Sequence, residues 1–266
     1  MHVGILQIET CDNKYENIHK LQKYLSRFLN KADIVILPEY FMYFREDMFK
    51  SPELIYNVSE DVYGDFVNML RSICREYSIH VLATIIERCG NSIYNSAILI
   101  DNNGDILLKY RKIHLFDAYG FSESKIFSRG SIPSPVVKIC DMHVACAICF
   151  DIRFPELFRV YMLNGADVVF IPAAWFRGDL KEDTLRFLAQ ARAHENGIFI
   201  VVCNQYSKLF TGRSIVVNPW GVVEIDLGIG EKYVEHRLDK STLENFRNTI
   251  PIYKLRRTLS YSKIFL

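Results

Sequence analysis

Three apolar stretches of the sequence each end in a side chain that can take part in chemistry. One precedes the carboxylate of Glu39, another precedes the ammonium of Lys112, and a third precedes the thiol of Cys149. The ends of strands are rigid and face the loops, so they are a frequent location of functional side chains in α/β proteins. A base, a cation and a thiol nucleophile are the minimum set for acyl transfer through a covalent intermediate. The sequence therefore predicts one site that gathers all three.

Composition and charge narrow the class of protein. The chain has 266 residues, is 50% hydrophobic and carries a formal net charge of +1. This balance gives no electrostatic reason to bind nucleic acid or an anionic membrane surface. No run of about 18 apolar residues is present, and the first residues are strand-like and lack the features of a signal peptide. We therefore expect a cytoplasmic protein with no nucleic-acid or membrane partner.

The cysteine pattern excludes a disulfide framework and singles out one thiol. There are seven cysteines, an odd and scattered set, and most are expected to be small buried side chains. Cys146 and Cys149 match the C-x-x-C spacing, but positions three apart on a strand point to opposite faces, which argues against a redox or zinc pair. Cys149 stands at the end of the predicted strand and is the candidate nucleophile. No metal and no cofactor are expected.

Hydrophobic periodicity predicts an α/β fold with two mixed sheets. Strands and helices alternate, and Asn102-Asn103-Gly104 marks a hairpin between two of the strands. Asn13 with Glu16, and Ser241 with Glu244, have the spacing of helix capping boxes. About eleven strands, including ones at 142–149 and a last one at 222–226, are too many for one open sheet. We therefore expect two sheets packed face to face with helices outside, in one domain over 1–266 with a C-terminal extension at about 241–266.

Several blocks of the sequence resemble the signature blocks of the nitrilase superfamily of carbon–nitrogen hydrolases, in its amidase branch, which includes omega-amidases and deaminated-glutathione amidases. The blocks are Leu37-Pro38-Glu39, the run from Tyr110 to Phe116, the run from Cys149 to Glu156, Glu123-Ser124-Lys125 with Gly130, Arg192-Ala193 with Glu195-Asn196, and Asn218-Pro219-Trp220-Gly221. They occur in the family's order over nearly the whole chain. The resemblance implies a four-layer α-β-β-α sandwich, a catalytic triad of Glu39, Lys112 and Cys149, and a second catalytic-site glutamate that matches Glu123.

Each of these residues has an expected role in amide hydrolysis. Glu39 takes the thiol proton and later activates water, while Lys112 and the backbone N–H of Phe150 stabilise the oxyanion. Glu123 keeps Lys112 charged and oriented. Cys149 must be a thiolate or be deprotonated as it attacks, because the thiol is a poor nucleophile. The helix expected to begin near Pro155 and the charge of Lys112 would both favour the thiolate.

The other polar residues near Lys112 and Cys149 are expected to be structural. His114 orients the loop after Lys112, and Asp151, Arg153 and Glu156 form a buried polar network that fixes the turn.

In the family that the chain resembles, the stretch after the strand at 167–171 lines the substrate pocket. In this chain the stretch contains Trp175, Phe176 and Arg177. Together with Phe150, these are the expected substrate-binding residues.

The identity of the substrate stays open at this point. Arg177 is expected to bind a substrate carboxylate bidentately, although Trp175 could equally be a core residue. Amidases of this branch often carry Thr-Gly-Pro-Ala-His-Trp where this chain has the segment 180–185, Leu-Lys-Glu-Asp-Thr-Leu. We expect hydrolysis of a small linear amide. Nitrile or carbamoyl hydrolysis on the same triad, or a catalytically silent binding protein, are the alternatives.

The C-terminal segment predicts assembly. Residues 241–266 contain many apolar side chains, which would form a large exposed patch on a monomer. They are Leu243, Phe246, Ile250, Ile252, Tyr253, Leu255, Tyr261, Ile264, Phe265 and Leu266. We therefore expect a homodimer or higher homo-oligomer with this segment at a two-fold interface, while folding of the segment onto its own domain is the alternative.

Overall fold

The computed structural model describes residues 1–257, and within them twelve strands form two six-stranded β-sheets. In chain order, the strands are β1 (His2–Gln7), β2 (Ile34–Ile36), β3 (His80–Cys89), β4 (Ser92–Ile100), β5 (Ile106–Arg111), β6 (Val137–Ile139), β7 (Met142–Cys146), β8 (Val168–Ala173), β9 (Phe199–Asn204), β10 (Ile215–Val217), β11 (Val223–Asp226) and β12 (Lys232–Arg237). The first sheet has the order β12-β1-β2-β3-β4-β5, and the second has the order β11-β10-β9-β8-β7-β6.

Both sheets are mixed, with parallel strands at the centre. In the first sheet β1, β2 and β3 are parallel, and β12, β4 and β5 are added by antiparallel pairing. In the second sheet β7, β8 and β9 are parallel, flanked by antiparallel β6, β10 and β11. Parallel strands end at a common edge, so the loops after β2, β7 and β8 are positioned to share a site. Two antiparallel steps from β3 bring the end of β5 to the same edge.

Helices cover the outer face of each sheet. In chain order they are α1 (Lys14–Phe28), α2 (Pro52–Val58), α3 (Asp65–Tyr77), α4 (Pro155–Leu163), α5 (Lys181–Asn196), α6 (Lys240–Thr249) and α7 (Ile252–Leu255). Leu21 of α1 and Leu70 of α3 pack in one core with the first sheet, and Phe158 of α4 and Leu185 of α5 pack in another with the second. Among residues 1–257, none of these helices combines the length and hydropathy needed to cross a bilayer.

The strand period of two explains the layers. On β8, Val168 and Phe170 enter the core between the two sheets, whereas Val169 and Ile171 enter the core beneath the helices. Successive strand residues point to opposite faces, so a strand buried on both sides is apolar throughout. This arrangement is the predicted four-layer α-β-β-α sandwich with two mixed sheets, and the prediction of fold class is confirmed.

Local signals were correct in some places and wrong in others. Asn13 accepts hydrogen bonds from the backbone N–H groups of Tyr15 and Glu16 and caps α1, as its spacing predicts. The capping box predicted at Ser241 is wrong. Helix α6 already begins at Lys240, and Asp239 is its N-cap. The strand predicted at 142–149 ends at Cys146, and β12 was not predicted at all. Its half-exposed residues show no clear alternation, and its pairing partner β1 lies more than 200 positions away.

Part of the C-terminal segment folds onto its own chain. Leu243 and Phe246 are buried, the first between the sheets and the second against Trp220, with ring centroids 4.9 Å apart. These two side chains therefore belong to the core and not to an interface, which corrects that part of the prediction. Tyr253 and Leu255 of α7 are exposed. Tyr261, Ile264, Phe265 and Leu266 lie outside the described residues.

Candidate active site

Glu39 lies in the loop after β2 and is held on all sides. Its side chain is 2% exposed, and one carboxylate oxygen accepts from the Nζ of Lys112 at 2.9 Å and from the Nδ2 of Asn95 at 2.8 Å. The other oxygen accepts from the backbone N–H of Ala174 at 3.0 Å. Gln205 donates to the backbone carbonyl of Glu39 at 2.7 Å. The carboxylate is therefore fixed in place before any substrate arrives.

Lys112 lies directly after β5, between two glutamates. Its Nζ is 2.9 Å from Glu39 and 2.8 Å from Glu123, and its side chain is as buried as theirs. Its backbone N–H continues the ladder by donating to the carbonyl of Asn95 at 2.9 Å. Burial disfavours the charge, but the two carboxylates outweigh it and raise the pKa of Lys112. Lys112 is therefore a fixed cation and not a proton donor.

Glu123 begins a short 3₁₀ turn and anchors Lys112 from the far side. Besides the ammonium, it accepts from the hydroxyl of Tyr40 at 2.8 Å, from Asn95 at 3.0 Å and from the backbone N–H of Phe116 at 2.7 Å. Burial alone would raise its pKa, yet Lys112 and these donors lower it. Glu123 therefore stays ionised and has no free lone pair directed at a thiol.

Cys149 opens the 3₁₀ turn Cys149–Arg153, three residues beyond the end of β7. Its φ of 44° lies in the left-handed region, where a residue with a β-carbon is strained. The thiol shares the cavity wall with the Glu39 carboxylate, and both this carboxylate and the Ala174 backbone N–H are close enough to shift its pKa. The turn thus lifts the sulfur out of the sheet and towards the carboxylate.

Of the two expected states of Cys149, the structure favours a thiol that is deprotonated as it attacks over a resting thiolate. Burial and the charge of Glu39 raise the pKa of the thiol well above its ordinary value, and the positive charge of Lys112 does not compensate. The helix α4, expected to favour the thiolate, begins at Pro155, and a 3₁₀ turn separates it from the sulfur. Burial also raises the pKa of Glu39. A buried ammonium between two carboxylates has a net charge of −1, and a thiolate would add a second negative charge. The thiol therefore keeps its proton until it reacts.

The turn around the nucleophile is built on Asp151. This buried carboxylate accepts from the hydroxyl of Tyr110 at 2.7 Å, from the backbone N–H of Ile148 at 2.9 Å, and from the Nδ1 of His114 at 2.8 Å. His114 thus orients the loop after Lys112, as expected. Glu156 was expected to belong to this buried network, and that part of the prediction is wrong, because Glu156 is exposed.

A narrow cavity opens at these side chains. Glu39, Lys112, Glu123 and Cys149 line it, together with a set of mainly aromatic residues. Its volume is about 40 Å³, where one water occupies roughly 10–15 Å³ on the same measure. The four predicted catalytic-site residues therefore lie together at the wall of a cavity of small-molecule size.

The predicted substrate-binding residues divide into two groups. Phe150, Trp175 and Phe176 line the cavity, whereas Arg177 does not. The Nε of Arg177 donates to the backbone carbonyl of Ser207 at 2.9 Å, and its guanidinium lies over the ring of Tyr206. The expected carboxylate contact of Arg177 is therefore wrong, because this arginine is committed to a neighbouring loop.

Two cations that were not predicted to face substrate, Arg153 and Lys181, line the cavity instead. The guanidinium of Arg153 lies 4.9 Å from the ring centroid of Trp175, and the Nζ of Lys181 lies 3.2 Å from that of Tyr119. Trp175 combines the two roles considered for it. It is buried, its indole N–H donates to the carbonyl of Lys181 at 2.8 Å, and its ring also walls the cavity.

Asn95 is the residue of this site that sequence reasoning missed. Its Nδ2 bridges Glu39 and Glu123, and among the described residues its buried Oδ1 has no hydrogen-bond partner. Leaving a buried carbonyl without a partner costs about 1–3 kcal/mol. The only signal for it was a polar amide on the inner strand β4, whose second half is apolar. Such a cost is typical of a position selected for its site and not for stability.

Comparisons with known proteins agree over most of the chain. The family model described as "Carbon-nitrogen hydrolase" matches residues 2–248. A 2-oxoglutaramate amidase of Bacillus subtilis is 30% identical over 257 residues, which cover 94% of this chain and 95% of that protein. An omega-amidase of Homo sapiens is 28% identical, with 98% and 96% covered.

Solved structures show the same fold. A carbon–nitrogen hydrolase from Helicobacter pylori G27 aligns with a TM-score of 0.88 at 21% identity, covering 100% of this chain and 98% of the other. A mutant of the amidase from Nesterenkonia sp. AN1, showing covalent addition of the acetamide moiety of fluoroacetamide at the active site cysteine, aligns with a TM-score of 0.80. It is 23% identical, with 99% and 96% covered. At these identities the likeness concerns the fold.

Proposed function

Because the chain belongs to the carbon–nitrogen hydrolase family, we propose that it hydrolyses a small linear amide through a cysteine thioester, releasing ammonia and a carboxylic acid. The observation that carries this proposal is that the Cys149 thiol, the Glu39 carboxylate and the buried ammonium of Lys112 line one cavity, with the ammonium paired to the carboxylate. Nucleophile, base and cation therefore meet at one place. Two of the relatives are named as amidases.

Acylation begins with attack of the Cys149 sulfur on the amide carbonyl carbon while Glu39 takes the thiol proton. The carbonyl oxygen becomes an oxyanion, which the Lys112 ammonium and the backbone N–H of Phe150 stabilise. The C–N bond then breaks, and the protonated Glu39 gives its proton to the leaving nitrogen. Ammonia departs, and the acyl group remains as a thioester on Cys149.

Deacylation uses the same groups in the same order. Glu39 takes a proton from water as the oxygen attacks the thioester carbon, and Lys112 again stabilises the oxyanion. The C–S bond breaks, the carboxylic acid leaves, and the proton on Glu39 returns to the sulfur. Glu123 supports both steps, because it holds Lys112 in place and keeps its charge.

The test is release of ammonia from a panel of primary amides, with matching nitriles and carbamoyl compounds. We expect amides to be hydrolysed and a thioester of the acyl group to be detected on Cys149 by mass spectrometry after acid quenching. Release from nitriles or carbamoyl compounds alone would replace linear amides as the substrate class. No release from any compound, with Cys149 unmodified, would contradict the proposal as a whole.

Replacing Glu39 by glutamine is expected to block both half-reactions. The amide cannot accept the thiol proton or activate water, so kcat should fall by about 10²–10⁴-fold. Stopped-flow measurements should also show no burst of ammonia, because acylation itself needs the base. Glu156→Gln, an exposed acid near the same turn, is the matched control and should behave as wild type. A full acyl burst in Glu39→Gln would show that another group activates Cys149.

We also propose that residues 1–266 form one catalytic domain that assembles as a homodimer through its C-terminal segment. Tyr253 of α7, which is 63% exposed, lines a surface groove together with Leu163 of α4, which is 42% exposed, and Leu255 at the end of α7 is 68% exposed. Apolar side chains grouped in this way support an interface of roughly 2,000 Å² or more.

Sedimentation at low micromolar concentration is expected to give a dimer of the 31.0 kDa chain. Leu255→Asp should shift the equilibrium to the monomer, since it places a charge in the apolar contact. Ile229→Asp alters an equally exposed residue in a distant loop and serves as the control. A wild-type protein that sediments only as a monomer would end this prediction.

A further inference from the structure

Two half-buried cations line the active-site cavity without an anionic partner. They are Arg153, at the end of the 3₁₀ turn that carries Cys149, and Lys181, the first residue of α5. Within residues 1–257 neither the guanidinium nor the ammonium has a hydrogen-bond acceptor or a carboxylate partner, and the contacts that they make are with aromatic rings. A charge that loses hydration is normally compensated by an opposite charge. The two cations therefore indicate an anion that the ligand supplies.

The backbone holds Lys181 at the cavity. Its N–H donates to the carbonyl of Gly178 at 3.2 Å, and its carbonyl accepts from the indole N–H of Trp175 at 2.8 Å. The preceding residue, Leu180, has a φ of 58°, in the left-handed region where a residue with a β-carbon is strained. The side chain of Leu180 is exposed, so it gains little burial in return for this strain. The conformation of this loop is therefore explained better by the placement of Lys181 than by packing.

Neither the neighbouring acids nor the family pattern accounts for the ammonium of Lys181. Glu182 pairs with Arg213 at 2.9 Å, and Asp183 is exposed and lies outside the cavity lining. Lys181 is the second residue of the segment 180–185, where amidases of the branch that this chain resembles often carry glycine. The cation is therefore a feature of this chain, and its place in the cavity wall calls for a reason.

The charges around the cavity favour an anionic ligand. Glu39 and Glu123 contribute two negative charges and Lys112 contributes one positive charge, while the thiol keeps its proton. Arg153 and Lys181 add two positive charges, so the lining carries a net charge of +1. A single carboxylate on the substrate brings the total to zero. Opposite charges attract more strongly in a cavity with little water than in bulk solvent.

We propose, resting on the proposed function, that Lys181 is a specificity-determining residue that binds, together with Arg153, a carboxylate at the end of the substrate's acyl chain. The guanidinium can donate two parallel N–H bonds to a carboxylate, and the ammonium adds a compact charge from another loop. The volume of about 40 Å³ restricts the acyl chain to a few atoms. The two cations thus take the role that the sequence assigned to Arg177.

The experiment compares kcat/KM for succinamic acid with that for butyramide, an uncharged amide with the same number of carbon atoms. The wild-type protein is expected to prefer succinamic acid by at least about tenfold, as for a charge-assisted hydrogen bond. Lys181→Met should lower this preference by at least about tenfold, mainly through KM, and should leave hydrolysis of butyramide within about threefold of wild type. Lys181→Arg should retain the preference. Lys208→Met, which alters an exposed lysine outside the cavity, is the matched control.

A second pair of variants keeps the test independent of folding. If Lys181→Met does not fold, Lys181→Gln removes the same charge and keeps a polar side chain. Arg153→Met should also lower the preference for succinamic acid by at least about tenfold. Thermal unfolding of each variant accompanies the kinetics.

The outcomes separate this proposal from the function on which it rests. Equal or better hydrolysis of butyramide by the wild-type protein would overturn the carboxylate site while amide hydrolysis stands. A folded Lys181 variant that loses activity equally on both amides would also overturn it, because a purely structural role lowers both together. A preference that is lost in Arg153→Met but kept in Lys181→Met would overturn the role of Lys181. Failure with both amides, and with the wider panel, would instead count against the proposed function.

Discussion

Cys149→Ala is expected to abolish turnover, with kcat reduced by about 10⁴-fold or more, because no other group can carry the acyl chain. The backbone at position 149 has a φ of 44°. Alanine experiences the same strain there as cysteine, and one atom of a half-buried side chain is lost. The fold should therefore persist, and the melting temperature should change little. Loss of activity would then report on chemistry alone.

The measurement is steady-state ammonia release, accompanied by thermal unfolding. Cys140→Ala is a close control, since Cys140 is exposed and also has a positive φ, of 51°. It should keep wild-type kcat. Labelling with iodoacetamide should modify Cys149 much faster in wild type than in Glu39→Gln, because Glu39 takes the thiol proton. If Cys149→Ala kept more than about a tenth of wild-type kcat, covalent catalysis through this residue would be refuted.

Lys112→Met is expected to lower kcat by roughly 10²–10³-fold or more, as for loss of an oxyanion donor. The ammonium is also the only cation between Glu39 and Glu123 within the described residues. Its removal leaves two buried carboxylates facing each other, which should raise the pKa of both and destabilise the protein by about 3–5 kcal/mol. Activity and stability should therefore fall together.

Lys109→Met separates these effects from the general loss of a lysine. Lys109 lies on β5, the strand that Lys112 follows, and pairs with Glu87, but its side chain is partly exposed and outside the cavity. It should keep its kcat. Single-turnover measurements on Lys112→Met should show slow acylation with substrate bound. A higher KM with kcat unchanged would mean that Lys112 only binds substrate.

The grouping of the four proposed catalytic residues was predictable because each belongs to a short block that resembles a signature block of the family. Glu39 follows Leu-Pro, and Cys149 precedes the run that ends in Glu156, so local sequence identifies them. The structure brings these residues together with Lys112 and Glu123 at one cavity. Asn95 could not be found in the same way. Its role depends on facing two glutamates from other parts of the chain, 56 and 28 positions away.

The errors have the same origin. Arg177 follows two aromatic residues that do line the cavity, and a local argument extends the lining by one residue too many. Its actual partner, Ser207, lies 30 positions further along. The sequence could not decide between a resting thiolate and a thiol at Cys149, because burial and the charge of Glu39 are properties of the assembled site. Strand alternation, by contrast, is local, and it was sufficient to predict two sheets and four layers.

The active site is divided between two halves of the sandwich. Glu39 and Lys112 are carried by the first sheet, whereas Cys149 and the Ala174 N–H are carried by the second. The separation of base and nucleophile is therefore set by the packing of side chains such as Ile36 and Phe170 in the core between the sheets. The catalytic rate should therefore be sensitive to the spacing of the two sheets. A substitution deep in the core, far from any substrate, can silence the enzyme by sliding one sheet against the other while both sheets remain folded.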